Sequence, residues 1–256
     1  LEIRWQRLIS IMDEVDNAVI KTSFSTIVGE SHDFACILLD ASGSSLCQSS
    51  FSPPDFCVIL PRTTRSILER FPLETLREGD VLVTNDPWLA AGHLPDYAIV
   101  TPVFWRGKPV AFMGTIAHVS DVGGHSGDII ASDVFTEGVR IPPAKLFEAG
   151  EENRLLFDII GQNCRVPEDV LGDLRAIAGT HRVGARRLRE FLDDYELEDL
   201  EELGSAIHGR SEAIMRERIA ALPDGTYEFG LDIDGYVDIV HLHATVTVDG
   251  DGILVD

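Results

Sequence analysis

The chain has 256 residues, of which 45% are hydrophobic and 25% are charged, a composition that predicts a globular protein with a sizeable core. Asp and Glu outnumber Lys and Arg by 43 to 21, which gives a formal net charge of −22. Nucleic acids and anionic membranes are polyanions, so this charge argues against both as partners.

The N-terminal part is predicted to contain two helices, a hairpin and a separate strand. Apolar side chains recur at helical spacing over residues 3–21, and a second helix is predicted over residues 63–71, where a proline follows. The hairpin covers residues 34–47 around a Gly-containing turn, and a short apolar strand is predicted over residues 81–84.

The middle of the chain predicts a hairpin of two buried strands. Residues 97–104 and 110–118 are apolar and rich in β-branched side chains, and the turn between them contains Gly107. Glycines also mark the loops outside both strands, at Gly92 on one side and at Gly123, Gly124 and Gly127 on the other. Functional groups on these loops would be held by the rigid strand ends.

The C-terminal part is predicted to be helical over residues 151–221 and then to form strands. Strands are predicted over residues 226–238 and 239–248, and a further one begins after the turn at 249–252. We therefore predict an α+β protein: mixed, hairpin-rich β structure around the candidate metal site described below, a helical segment, and further C-terminal strands. The predicted domains are a metal-binding α+β domain over residues 1–222 and the start of an incomplete β-rich domain over residues 223–256.

The predicted central hairpin is flanked by two HxxD motifs. His93 and Asp96 precede the first strand, whereas His118 ends the second strand and is followed by Asp121. Antiparallel neighbours lie about 5 Å apart, so two imidazoles and a carboxylate can converge at one end of the hairpin. Two histidines and one carboxylate, with open coordination positions on the metal, suit Zn, Mn or Fe acting on bound water or a substrate oxygen. The spacing alone leaves structural, hydrogen-bonded histidines equally open.

Other polar residues near these loops are candidates for supporting roles. Asp33, just before a predicted strand, is a further ligand or a residue that orients a histidine, although aspartate is also routine in turns. We predict substrate contacts for Asn85, His125 and Arg165. Asp121 joins the other three motif residues as a predicted catalytic residue. The chain contains no P-loop, GxSxG elbow or Rossmann GxGxxG motif.

Cysteine usage and the absence of an apolar span bear on location. The four cysteines form no CxxC pair, which favours free thiols in a reducing cytoplasm. The sequence contains no run of about 18 apolar residues, which is the length that would predict a membrane span. The chain starts at Leu1 without a signal peptide and stops in a predicted strand, so we expect a processed or partial chain in the cytoplasm.

Several segments, in order along the chain, resemble the hydantoinase B family. They are DFAC at 33–36, TNDP at 84–87, GHLPD at 92–96, AHVSDVGG at 117–124, GVRIPP at 138–143 and LPDGTY at 222–227. Full-length members of that family are about twice as long as this chain, which agrees with its abrupt end. The sequence departs from many members at Val119, where they carry a second histidine, and at Ala91, where they carry glycine. These changes lie around the site and bear on substrate identity more than on metal binding.

The resemblance implies a metal-carrying subunit that works with an ATP-binding partner of the hydantoinase A type. The implied metal ligands are His93, Asp96 and His118, with Asp33 as a fourth. The implied cofactors are a divalent metal (Zn, Mn or Fe) on this chain and ATP on the partner, in a hetero-oligomer. The family includes N-methylhydantoinase, 5-oxoprolinase, caprolactamase, and acetone and acetophenone carboxylases.

The implied reaction is hydrolysis of a cyclic amide of the hydantoin, oxoproline or lactam type. Metal-activated water would attack a substrate that the partner has phosphorylated. Three alternatives stay open: a ketone carboxylase in which the metal stabilises an enolate, a non-catalytic assembly module, and a stand-alone metal hydrolase that does not use ATP. The ligand set by itself does not choose among the catalytic versions.

Overall fold

A computed structural model describes residues 1–125, 131–235 and 238–256 of the chain. These residues form two compact units, Leu1–Gly204 and Ser205–Asp256. Helices and antiparallel strands are both abundant, which confirms the predicted α+β class. In the part of the chain that the structure describes, no helix is both long enough and apolar enough to cross a membrane.

The first unit is built on a seven-stranded sheet with the order β2-β1-β5-β4-β3-β6-β7. Its strands are β1 (Phe34–Asp40), β2 (Ser45–Gln48), β3 (Val81–Thr84), β4 (Asp96–Trp105), β5 (Lys108–His118), β6 (Ala144–Glu148) and β7 (Glu151–Glu152). Every neighbouring pair is antiparallel. The predicted central hairpin is therefore confirmed as β4 and β5, at the middle of the sheet.

The helices vary in length from a single turn to 28 residues. They are α1 (Glu2–Thr22), α2 (Thr26–Gly29), α3 (Pro54–Arg70), α4 (Val134–Glu137), α5 (Arg154–Asn163), α6 (Pro167–Asp194) and α7 (Glu201–Ala220). The second predicted helix was wrong at its start, because α3 begins nine residues earlier, at Pro54. Pro61 lies inside α3, and a proline there removes a backbone donor, so the sequence pattern favoured a later start.

Helices cover both faces of the central hairpin. On one face, Phe56, Leu60 and Ile67 of α3 share a buried cluster with Val100 and Phe112 of the hairpin. On the other face, α1 and α6 approach β5 so closely that a β-carbon at Gly184 of α6 would meet both Val15 and Met113. Burial on both sides explains why β4 and β5 are almost continuously apolar.

A buried histidine ties α6 to the hairpin. His181 has no exposed surface, and its Nδ1 and Nε2 each lie 2.8 Å from a threonine hydroxyl, those of Thr101 and Thr115. Burial lowers the pKa of His181 to about 3, so the ring is neutral at physiological pH. A neutral imidazole has one donor and one acceptor nitrogen, and the two hydroxyls can satisfy both.

The second unit contains a three-stranded sheet of β8 (Gly225–Asp234), β9 (Ile239–Asp249) and β10 (Gly252–Val255). The strand predicted over residues 226–238 corresponds to β8 and ends earlier than expected, at Asp234. Residues 236 and 237 lie outside the described part of the chain. Pairing of Leu231 with Leu242 and of Ile233 with Val240 places alternating apolar side chains on one face. These side chains are exposed in the structure.

Candidate metal centre

Three strand ends meet at one edge of the central sheet. Asp96, the first residue of β4, is paired directly with His118, the last residue of β5. On the other side of β5, Phe34 of β1 pairs with Ala117, and the amide of His118 donates to the carbonyl of Asp33 at 3.0 Å. His93 lies in the loop before β4, three residues ahead of Asp96. Antiparallel pairing thus brings the first HxxD motif and the histidine of the second motif to the same place.

The two imidazoles share one carboxylate. His93 Nε2 lies 2.7 Å from Asp96 Oδ2, and His118 Nδ1 lies 2.9 Å from Asp96 Oδ1. The imidazole ring centres are 5.1 Å apart, and one potential ligand atom from each of the three residues lies within 4.8 Å of the others. The Asp96 side chain is only 4% exposed, against 45% for His93 and 23% for His118. The carboxylate of the group is therefore buried, whereas the imidazole side of the group is open to solvent.

Electrostatics favour an ionised carboxylate between the rings. Burial is the largest influence on Asp96 and opposes its ionisation, but hydrogen bonds and charge from His118 and His93 outweigh it and hold its pKa below the ordinary value. The pKa of His93 is raised, chiefly by its hydrogen bond to Asp96 and less by the charges of Asp96, Glu137 and Asp33, against an opposing effect of burial. The same negative charges that hold a proton on His93 would attract a cation.

The donor set fits a divalent metal. Two imidazole nitrogens and one carboxylate oxygen, with an open side, match the ligand types that Zn, Mn and Fe use in catalytic sites. A buried carboxylate flanked by two partly exposed rings would otherwise depend on a proton for its charge balance. The three residues His93, Asp96 and His118 would hold the ion.

Asp33 lies at the rim of the group. Its Oδ2 is 3.8 Å from His118 Nδ1, and its side chain is 44% exposed. This distance is too long for a hydrogen bond, and Asp33 is not among the three residues whose ligand atoms converge. The predicted fourth ligand is thus close to the centre but outside the converged set.

Asn85 is fully buried under the loop that carries His93. Its Nδ2 donates to the carbonyls of Leu94 at 2.8 Å and Val139 at 3.0 Å, and its Oδ1 accepts from the amide of Ile141 at 2.6 Å. Contact with a substrate, as predicted from the sequence, would require these bonds to open. The structure gives Asn85 the task of fixing the backbone next to His93.

Replacing Asn85 by alanine is expected to lower the free energy of unfolding by about 3 kcal/mol, because two buried backbone groups and one part-buried backbone group lose their side-chain partner. Asn17→Ala is the matched control, since Asn17 is exposed and its side chain donates to the carbonyl of Asp13 within the same helix. Urea unfolding of both variants measures the difference. Equal losses in the two variants would contradict a stabilising role for the buried network.

Asp121 and Arg165 bind each other. Asp121 is buried, and its Oδ1 accepts from Arg165 Nη1 at 2.8 Å and from the amide of Gly123 at 2.9 Å. The Arg165 amide also donates to Asp121, and its Nη2 donates to the carbonyl of Gly124. The structure thus joins the second HxxD motif to the segment between α5 and α6. Among the described residues, Asp121 is outside the converged ligand group, and its predicted catalytic role remains a prediction.

The glycine-rich segment after His118 is tightly packed. Gly124 has φ +50°, and a β-carbon there would lie 2.5 Å from the carbonyl oxygen of Thr136. His125 is exposed, and its amide donates to that same carbonyl at 2.8 Å. Its predicted contact with substrate stays a prediction. The remaining predicted loop residues, including Gly127, lie outside the described part of the chain.

One residue near the centre had no signal in the sequence. Glu137 of α4 accepts a hydrogen bond from the amide of Leu94 at 3.1 Å and contributes to the raised pKa of His93. It lies 43 positions from Leu94 in the chain. Neither its spacing nor its neighbours distinguish it from other surface glutamates, so only the fold reveals it.

The fold and this centre define a known class of protein. Residues 1–256 match the family model described as hydantoinase B/oxoprolinase, so the chain belongs to that family. It is 34% identical, over 95% of this chain and 43% of the relative, to a protein of Pseudomonas sp. (strain NS671) that is named as a subunit of a D-/L-hydantoinase. It thus spans less than half of that relative's length.

Two further relatives have different reactions in their names. The acetophenone carboxylase delta subunit of Aromatoleum aromaticum is 28% identical, over 88% of this chain and 33% of its own length. The crystal structure of an ATP-dependent caprolactamase from Pseudomonas jessenii superposes with a TM-score of 0.89 at 26% identity, covering 99% of this chain and 45% of that chain. The family therefore includes both amide-hydrolysing and carboxylating enzymes.

Proposed function

We propose that this chain is the metal-carrying part of an ATP-dependent enzyme that hydrolyses a cyclic amide of the hydantoin, oxoproline or lactam type. The observation that carries the proposal is the convergence of His93, Asp96 and His118 at one sheet edge. The hydantoinase and caprolactamase relatives support the reaction class. A bound divalent metal supplies Lewis acidity to a substrate oxygen or a water molecule.

The protein's own residues then have distinct tasks. Asp96, buried between the two rings, would hold the ion together with His93 and His118 and would supply the negative charge of the ligand set. Asn85 fixes the backbone on one side of His93, and the pair of Asp121 and Arg165 fixes the segment that follows His118. Asp33, at the rim, orients His118 or completes the ligand set when an ion is bound.

The activating step belongs to another subunit in this proposal. The chain lacks a P-loop, and its relatives include an ATP-dependent caprolactamase and proteins named as subunits of a caprolactamase and of a hydantoinase. We therefore assign ATP to a hydantoinase A-type partner that phosphorylates the substrate. The chain supplies the place where the activated carbon meets water, in a hetero-oligomer.

A second candidate is an ATP-dependent ketone carboxylase, favoured by the acetophenone carboxylase delta subunit among the relatives. There the centre would stabilise an enolate oxygen rather than promote attack by water. The same three residues serve both reactions, because each needs a Lewis acid at an oxygen.

The two candidates are separated by assaying the protein isolated from its source with the subunits that accompany it. ATP-dependent opening of hydantoin, 5-oxoproline or caprolactam supports the first proposal. Bicarbonate- and ATP-dependent consumption of acetone or acetophenone supports the second. Neither activity, together with a metal-free centre, would leave a non-catalytic assembly module as the best description.

A further inference from the structure

A small cavity opens beside the metal-binding loop. It has a volume of about 370 Å³ and is lined by Pro87, Trp88, Gly92, Val134 and Glu137. Gly92 immediately precedes His93, and the hydrogen bond between Glu137 and Leu94 joins the α4 wall to the loop that carries His93. The cavity therefore adjoins the candidate metal centre on the side of α4.

Trp88 is exposed but held in place. Its side chain is 63% exposed, although its amide donates to Asp86 Oδ1 at 3.1 Å. The Arg140 guanidinium lies 5.7 Å from the indole ring centre, and Arg140 Nε is 3.9 Å from Asp86 Oδ2. A guanidinium covers only one face of a ring, so the indole is pre-ordered and still has a face available for stacking.

The size and lining of the cavity indicate its occupant. Ligand cavities usually measure about 300–1,000 Å³, so this one suits a single small ring rather than a peptide. Trp88, Pro87 and Val134 present apolar surface, whereas the carboxylate of Glu137 repels an anion. A pre-ordered aromatic wall loses little entropy when a flat group stacks on it. The features together select a neutral, apolar and preferably flat group.

We propose that this cavity binds the apolar substituent of the substrate while the polar ring of the substrate lies at the metal centre. The substrate class is then an aryl- or alkyl-substituted cyclic amide, with Trp88 as the residue that determines this specificity. The inference deepens the proposed function and rests on it, because it places the reacting ring at His93, Asp96 and His118.

The test compares 5-benzylhydantoin with unsubstituted hydantoin by isothermal titration calorimetry on the metal-loaded protein. We expect the benzyl compound to bind about tenfold more tightly, equivalent to one aromatic contact and its buried area. In Trp88→Ala this preference should fall to less than about twofold, and Trp88→Phe should keep most of it. Trp105→Phe is the matched control, since Trp105 pairs with Lys108 at the opposite end of the hairpin from Asp96.

The outcomes separate this inference from the proposed function. Turnover of hydantoin with no benzyl preference, or a preference unchanged in Trp88→Ala, overturns the inference and leaves the proposed function standing. A preference that depends on Trp88 in a protein that retains no metal and opens no cyclic amide supports the cavity and overturns the proposed function. Loss of association with partner chains in Trp88→Ala with an unchanged preference would assign Trp88 to a protein interface instead.

Discussion

Replacing His93 or His118 by alanine is expected to lower the affinity for a divalent metal by more than about 100-fold, because even outer-shell partners of a ligand commonly contribute 10–100-fold. Each variant removes one of the three converged ligands and leaves Asp96 with a single imidazole partner. Elemental analysis after dialysis should find about one Zn, Mn or Fe per chain in the original protein and almost none in either variant.

Two further variants test whether the loss of metal is specific to the ligand group. His243→Ala removes an exposed histidine that is outside the ligand group and should keep the metal. Asp96→Asn preserves the shape of the buried side chain but removes its charge, so it should lose metal as the histidine variants do. Full metal occupancy in His93→Ala and His118→Ala would rule out this ligand set. Absence of metal from the original protein, after reconstitution with each ion, would favour an assembly module.

Replacing His181 by glutamine is expected to make the stability of the protein less sensitive to acid. The pKa of His181 is lowered from 6.5 to about 3 by burial, so between these pH values the unfolded chain binds a proton that the folded chain does not. Stability in the original protein therefore falls as the pH falls through this window, by about 1.4 kcal/mol per pH unit from this residue. Glutamine cannot bind that proton, and it retains groups that can bond Thr101 and Thr115.

The measurement is the free energy of unfolding in urea at pH 7, 6 and 5. Glutamine fits the site less well, so the variant should be less stable at pH 7, and the gap should narrow by about 2 kcal/mol at pH 5. His243→Gln replaces an exposed histidine and should run parallel to the original protein. Parallel curves for the original protein and His181→Gln would show that His181 is not buried in its neutral form.

The sequence was sufficient for the part of the site that depends on strand ends. The apolar, β-branched runs around a Gly-containing turn located β4 and β5 in the sequence. In an antiparallel hairpin, the residue at the start of one strand and the residue at the end of the other are neighbours. The meeting of Asp96 with His118 follows from that rule, and His93 lies only three residues ahead of Asp96. The family also followed from short motifs in order along the chain, and the family model confirms it.

The sequence was not sufficient for roles that depend on contacts between distant segments. The contact of Asn85 with substrate stays a prediction, whereas its three backbone partners, which lie 9 to 56 positions away, had no signal in the sequence. The contact of Arg165 with substrate also stays a prediction, whereas its hydrogen bond to Asp121 across 44 positions could not be predicted. An asparagine or arginine in a loop has the same local pattern whether it faces solvent or bonds a distant backbone, so local spacing cannot separate these roles.

Sequence alone thus determined the α+β class, the family, and which histidines and aspartate lie at one end of the hairpin. Tertiary structure decided that Asp33 lies at the rim, that Glu137 is close to His93, that Trp88 lines a cavity beside the His93 loop, and that His181 is a neutral, buried residue joining α6 to the sheet. The physical reason is that the pairing of β4 with β5 within one hairpin follows from the local sequence, whereas burial, ionisation and cavity walls depend on which distant segments pack together.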